Sequence, residues 1–282
     1  MLLHQHLEKF AKSTPLQLFS EFSGKNLTYL DANKIANKLA RALLQEGLKK
    51  GDRFSFLAKN CDEMAIMYYA ASKAGIVPVP LNYRLADQEW QYIINDSQSK
   101  LIIVRSEEFV SRINSLKDKL DSVQKMIMLN SQEKYSDWNE FYKWIDKNDH
   151  KNLNLDIQDD DDVYQMYTSG TTGLPKGVII LQKNVEANIM QYFDRLVLPM
   201  PPKTLLVAPM YHAAAMINLC GCIALGGTIV IHEDFIPVDV VNTLANERIT
   251  HTVLVPAMIQ ACLMTVPGVE NHNFDKLDQI HY

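Results

Sequence analysis

Short apolar runs alternate with longer amphipathic stretches along nearly all of this 282-residue chain. Residues 53–58, 76–80, 101–104, 125–129, 163–167, 178–181, 204–208, 228–232 and 250–255 are brief and largely apolar, so they read as strands. Residues 30–46, 62–73, 90–94, 107–120, 184–198, 213–225, 238–248 and 257–266 read as helices. In the first of these, Ile35, Leu39 and Leu43 form the apolar stripe, Asp31 is the expected cap and Gly47 the stop. Parallel strands need a long crossover, and a crossover helix covers the apolar face of the sheet it spans. More than seven strand segments are present, so two sheets fit better than one. The expected fold is therefore α/β, with two helix-flanked, largely parallel sheets. One lobe is expected over residues 60–190 and a second over 1–59 together with 191–282. Pro78 and Pro80 cannot donate to a strand ladder, which places 76–80 at a sheet edge or an early exit. Residues 130–155 are mostly polar, with Trp138, Phe141 and Trp144 among them, and a surface helix is expected there.

One connection breaks the alternation. Residues 167–177 read Tyr-Thr-Ser-Gly-Thr-Thr-Gly-Leu-Pro-Lys-Gly and lie between two strands. Gly170, Gly173 and Gly177 let backbone N–H groups approach an anion closely. Thr168, Ser169, Thr171 and Thr172 add hydroxyl donors, and Lys176 adds a mobile positive charge. This is the composition of a polyphosphate cradle. It is not a Walker loop, because Lys176 stands between Pro175 and Gly177 and a strand, not a helix, follows. The dinucleotide-binding spacing of glycines is also absent. A plain Gly/Ser/Thr hairpin is the bland alternative; the hydroxyl density beside Pro-Lys-Gly favours the cradle.

At these residues the chain resembles the AMP-forming acyl-CoA synthetases, a superfamily that includes peptide-synthetase adenylation domains and beetle luciferases. The resemblance extends over nearly the whole chain. Asn26-Leu-Thr-Tyr29 with its following helix is similar to the family's opening segment, and residues 74–85 (Ala-Gly-Ile-Val-Pro-Val-Pro-Leu-Asn-Tyr-Arg-Leu) to its second block. Pro209-Met-Tyr-His212 resembles the acyl-pocket motif, and residues 252–259 the block after it.

The resemblance implies a reaction in two halves. A carboxylate attacks the α-phosphorus of ATP, giving an acyl-adenylate and pyrophosphate; a thiol, usually that of coenzyme A, then displaces AMP. It implies Lys176 and Thr168 as catalytic groups, Thr168, Ser169, Gly170, Thr171, Thr172, Gly173 and Lys176 as the phosphate site, and Thr168 beside Mg²⁺. It implies an acid pocket at His212, Ala213 and Met216, where small residues leave space for an apolar acyl or aryl group. Amino-acid-activating relatives place an aspartate around this motif; Tyr211-His212 stands here, which disfavours an ammonium-bearing substrate. Each residue also has a bland reading: Thr168 as a strand-end hydroxyl on backbone, Lys176 as a solvated charge, His212 as a helix-start histidine on backbone. Asn82 and Arg84 are read as ordering the loop after their strand. The family's adenine segment, Mg²⁺-binding glutamate, ribose-binding aspartate, hinge and catalytic lysine correspond to residues past Tyr282. The chain is thus expected to be an incomplete N-terminal AMP-binding domain without the C-terminal domain, inactive by itself. Its last segment, 274–282, is expected to leave an open sheet edge that dimerises or otherwise associates. Two further readings stay open: an adenylation domain loading a carrier-protein phosphopantetheine, and a non-catalytic nucleotide-binding or interaction module.

Composition narrows the partners. A net charge of −5 offers no basic patch for nucleic acid. No apolar run approaches the ~20 residues of a membrane span. The start of the chain lacks the basic and apolar regions of a signal peptide, so a cytoplasmic location is expected. The four cysteines have no framework or metal spacing and read as buried thiols. Asp159 to Asp162 could attract Mg²⁺, but a solvated turn before a strand is the better reading.

Overall fold

The first strands form where the alternation is hardest to see. The computed structural model describes residues 1–130, 135–168, 173–195 and 199–282, with backbone alone at 192–195. Helix α1 (Leu3–Ser13) leads into a hairpin of β1 (Leu18–Phe22) and β2 (Lys25–Thr28), which the sequence reading did not contain. Its two-residue turn, Ser23-Gly24, has φ of 51° and 74°. Both values are positive, the geometry that matches strand twist in a tight hairpin. Helix α2 (Tyr29–Gln45) follows. Thr28, not Asp31, is its cap: Thr28 Oγ1 accepts from the Asp31 amide at 3.1 Å, while the Asp31 carboxylate accepts from the Thr28 amide at 3.3 Å. That reciprocal pair is a capping box with Asp31 in the third helical position.

Next comes a parallel sheet of β3 (Arg53–Leu57), β4 (Val77–Leu81), β5 (Leu101–Arg105), β6 (Lys125–Leu129) and β7 (Trp138–Glu140), in the order β4-β3-β5-β6-β7. The crossovers are α3 (Asp62–Ala74), α4 (Asp87–Asp96) and α5 (Glu107–Leu116). β4 is at the edge, where its prolines cost no ladder bond. Leu57, Val79, Ile102 and Val104 pack with Trp90, Phe109, Val110 and Ile113 of the helices. The expected surface helix over 130–155 is corrected. Its aromatic residues build a fifth strand and the short α6 (Phe141–Ile145), and Trp138, Phe141 and Trp144 are all buried. Burying three large rings outweighs the polarity of the residues around them.

β8 (Asp162–Thr168) and β9 (Lys176–Leu181) then pair antiparallel as a separate two-stranded sheet, and α7 (Gln182–Arg195) follows. The chain returns to β1 with β10 (Lys203–Leu206), α8 (Ala213–Ala224), β11 (Thr228–Ile231), α9 (Pro237–Asn246), β12 (His251–Val253), α10 (Pro256–Thr265) and β13 (Gln279–His281). The resulting sheet runs β13-β12-β10-β11-β1-β2, with every pair parallel except β1–β2. β13 is an edge strand. The fold is the expected α/β class with helix-flanked, largely parallel sheets.

The chain divides into two compact units. One comprises Met1–His4, Asn33–Lys59 and Ile66–Asn184; the other comprises Gln5–Ala32, Asn60–Ala65 and Val185–Tyr282. These bounds differ from the expected lobes mainly at 33–59, which join the unit holding the glycine-rich hairpin. The reason is β3: it is the central partner of both β4 and β5 and cannot leave their sheet. The acidic run is engaged by bases: Asp160 by Lys183, Asp161 by Lys50 at 2.6 Å and Asp162 by Arg53 at 3.4 Å. All four cysteines are free and buried, and burial pushes the Cys220 thiol up to about 12 and Cys222 still higher.

Candidate active site

In the first unit, β8 and β9 hold the candidate phosphate site. Their register sets Thr168 opposite Lys176 as the last pair before the turn, with Tyr167 opposite Gly177. Thr168 and Lys176 are exposed, and Lys176 pairs with no carboxylate among the described residues. A hydroxyl and an ammonium are thus cross-strand neighbours at the turn end of the hairpin. Of the other expected phosphate ligands, Gly173 is exposed with no atom within 4 Å of where a Cβ would stand. Ser169, Gly170, Thr171 and Thr172 lie outside the described residues.

A chain of side-chain hydrogen bonds that sequence reasoning missed meets this end of the hairpin. Arg53 Nε donates to Gln165 Oε1 at 3.1 Å, and Gln165 Nε2 donates to the Tyr167 hydroxyl at 3.1 Å. The Tyr167 hydroxyl in turn donates to the Asp96 carboxylate at 2.6 Å. Burial, then the neighbouring Asp96 carboxylate, pushes the Tyr167 phenol well above its ordinary value, so it remains a donor. Gly177 lies directly beneath: a Cβ there would sit 2.2 Å from Gln165 Nε2 and 2.9 Å from Tyr167 Cζ. The only sequence signal was Gly177 itself, which reads as a phosphate-loop glycine but is required by this close packing.

The donors fit a triphosphate, which wants N–H, hydroxyl and ammonium groups without competing carboxylates. Mg²⁺ is less provided for. Thr168 offers one neutral oxygen, and no group of three His, Cys, Asp or Glu side chains placed to hold a metal ion occurs among the described residues. A hard cation here would take most of its oxygens from phosphate and water.

In the second unit, chain order places a second site. β10 leads through α8 to β11 on one side, and β11 leads through α9 back to β12 on the other. The carboxyl ends of β10 and β12 therefore flank a switch point, the position at which open α/β sheets take ligands. The segment from Val207 to His212 leaves β10 there. Buried Asn60 holds it: Nδ2 donates to the Ala208 and His232 carbonyls at 3.1 and 3.2 Å, and Oδ1 accepts from the Met210 amide at 2.8 Å. Asn60 carried no signal in the sequence. His212 is the residue before α8, exposed, with its ring 4.4 Å from that of buried Tyr211. Ala213 is exposed as well, whereas Met216 is turned into the interior at 1% exposure. Of the three expected pocket residues, two face solvent and one is core. Asn82 orders its loop: its Oδ1 accepts from the Arg84 amide at 2.9 Å, and its backbone carbonyl accepts from Trp90 Nε1 at 2.8 Å.

The chain is thus an α/β protein with helix-flanked, largely parallel sheets and a separate hairpin whose strands end on Thr168 and Lys176. The chain belongs to the AMP-binding enzyme family, which matches residues 7–281. It is 29% identical over 252 residues to a feruloyl-CoA synthase from an Amycolatopsis species, covering 89% of this chain and 48% of that protein. It is 28% identical over 263 residues to the fatty acid–[acyl-carrier-protein] ligase ScoC of Streptomyces coeruleorubidus, covering 92% and 49%. The inhibitor-bound N-terminal domain of FACL13 from Mycobacterium tuberculosis superposes with a TM-score of 0.89 at 26% identity, covering 98% of this chain and 68% of that one. The chain spans about half the length of the curated relatives it matches. No helix among the described residues is long and apolar enough to cross a membrane.

Proposed function

We propose that this chain supplies the phosphate-binding and acid-binding parts of an enzyme that activates a fatty or related organic acid with ATP. The carboxylate oxygen forms a bond to the α-phosphorus, and the bond to the β-phosphate bridging oxygen breaks. Pyrophosphate leaves and an acyl-adenylate results. In the second half a thiolate attacks the acyl carbon and AMP departs with the electron pair. The observation that carries the reading is Thr168 paired with Lys176 at the turn end of β8 and β9. In this reading Lys176 meets the charge that builds on the departing pyrophosphate, and Thr168 donates its hydroxyl to a phosphate oxygen. Mg²⁺, when bound with the nucleotide, neutralises part of the phosphate charge, with the Thr168 oxygen beside it. Ser169, Gly170, Thr171, Thr172 and Gly173 belong to the same phosphate site. His212 and Ala213 meet the acid, and Met216 backs them. No carboxylate occurs in the segment from Pro209 to His212, so an ammonium group has no partner there and amino acids are disfavoured.

Coenzyme A is the proposed thiol. The ScoC relative motivates the second reading, transfer to a carrier-protein phosphopantetheine. The test is ATP–pyrophosphate exchange by the intact protein over a panel of fatty, aryl and amino acids, followed by trapping with coenzyme A or with a holo-carrier protein. Exchange that depends on a fatty or aryl acid, with thioester formed on coenzyme A, is expected. Thioester on the carrier alone would select the second reading. Nucleotide binding without exchange for any acid would leave a non-catalytic module.

A further inference from the structure

Asp96 is the last residue of α4, a helix with no base in its final turn. A carboxylate at a helix carboxyl end faces the negative pole of the backbone dipole, so local helix stability does not account for it. Its strong partner comes from outside the helix, the Tyr167 hydroxyl at 2.6 Å; one turn back on α4 itself the Tyr92 hydroxyl lies at 3.4 Å, a weaker contact. Tyr167 immediately precedes Thr168 and stands opposite Gly177, one pair before Thr168 and Lys176. We propose that Asp96 is a positioning residue for the phosphate hairpin: through the Tyr167 hydroxyl it fixes the strand end on which Thr168 and Lys176 are paired.

The geometry leaves that end few other anchors. β9 from Lys176 to Ile179 is exposed, so little burial holds it in place. Tyr167 and Gln165 share one face of β8, and their side chains cover Gly177. The Gln165 amide is held from both sides, by Arg53 and by Tyr167. Asp96 ends the chain of bonds with a charged acceptor, and bonds to charged acceptors are the stronger ones. The Tyr167 ring also packs against the core cluster of its unit, so without Asp96 it is the hydroxyl end that would lose its fixed point, and the Thr168–Lys176 separation would widen its range. Asp96 itself touches no ligand in this account.

The proposal rests on the phosphate-site reading, and its test separates the two. Tyr167→Phe removes a single oxygen, Asp96→Ala removes the acceptor, Asp96→Asn keeps an acceptor oxygen, and Tyr92→Phe removes only the weaker partner. Amide hydrogen exchange of residues 164–168 and 176–180 in the intact protein, without nucleotide, reads the pinning directly. ATP–pyrophosphate exchange reads its consequence. Tyr167→Phe and Asp96→Ala are expected to speed amide exchange at both strand ends and raise the KM for ATP about tenfold, with the KM for the acid unchanged. Asp96→Asn is expected to recover most of the loss, and Tyr92→Phe to behave as the parent. Unchanged amide exchange in Tyr167→Phe overturns the proposal, as does an equal rise in both KM values, which would mark a general loss of structure. A parent protein with no exchange for any acid defeats the functional reading, while the hydrogen-exchange comparison still decides the role of Asp96.

Discussion

Asn60→Ala is the substitution whose cost the structure specifies best. Asn60 is 2% exposed and makes three hydrogen bonds: two donated to the carbonyls of Ala208 and His232, and one accepted from the Met210 amide. Alanine leaves all three backbone groups without that partner, and Met210 is itself fully buried. At about 1 kcal/mol for each bond, the expected loss is roughly 3 kcal/mol, or a factor of about 150 in the folding equilibrium. Asn60→Asp makes a sharper test. It keeps the acceptor for Met210 but turns both donors into an anionic oxygen facing two carbonyl oxygens. That is both unpaired and repulsive, so aspartate is expected to destabilise more than alanine, by more than about 4 kcal/mol. Urea unfolding of the parent and both variants, followed by far-UV circular dichroism, gives the comparison. A loss below about 1 kcal/mol for alanine, or an aspartate variant as stable as the alanine one, would refute the reasoning that this amide holds the segment leading to His212.

Three further outcomes are expected. Gly177→Ala should cost about 1–3 kcal/mol in thermal or urea unfolding, because the new methyl meets a Gln165 amide that Arg53 and Tyr167 hold in place; an unchanged midpoint would show that the amide swings away freely. Lys176→Ala should slow ATP–pyrophosphate exchange about 100-fold while changing the KM for the acid little, since its charge is needed most as pyrophosphate leaves; parent-like exchange would remove it from the mechanism. Burial, aided by the neighbouring His281, lowers His251 from 6.5 to about 3, so the folded protein holds it neutral while the unfolded chain takes up a proton. Its contribution to stability is therefore complete above pH 6.5 and falls as pH drops towards 3, by about 2 kcal/mol at pH 5. His251→Gln should flatten that part of the stability–pH curve, and a curve of unchanged slope would contradict the assignment.

The alternation of short apolar and amphipathic segments was enough to determine the α/β class, because parallel strands and crossover helices are the few ways to bury such a pattern. The edge position of β4 followed from Pro78 and Pro80, and the hairpin of β8 and β9 from a glycine–hydroxyl turn with no helix after it. These are local properties, carried by residue type and spacing. The tertiary structure decided what depends on partners far apart in the chain. β1 was invisible as a strand because its place beside β11 comes from a pairing across more than 200 residues. The aromatic residues at 138–144 became a strand and a buried turn of helix only because β6 offered an open edge. Asn60, Gln165 and Asp96 are ordinary polar residues in sequence, and their roles arise from carbonyls, a guanidinium and a phenol that folding brings to them. Spacing along a strand can say which face a side chain takes, but only the folded chain supplies the group that it meets there.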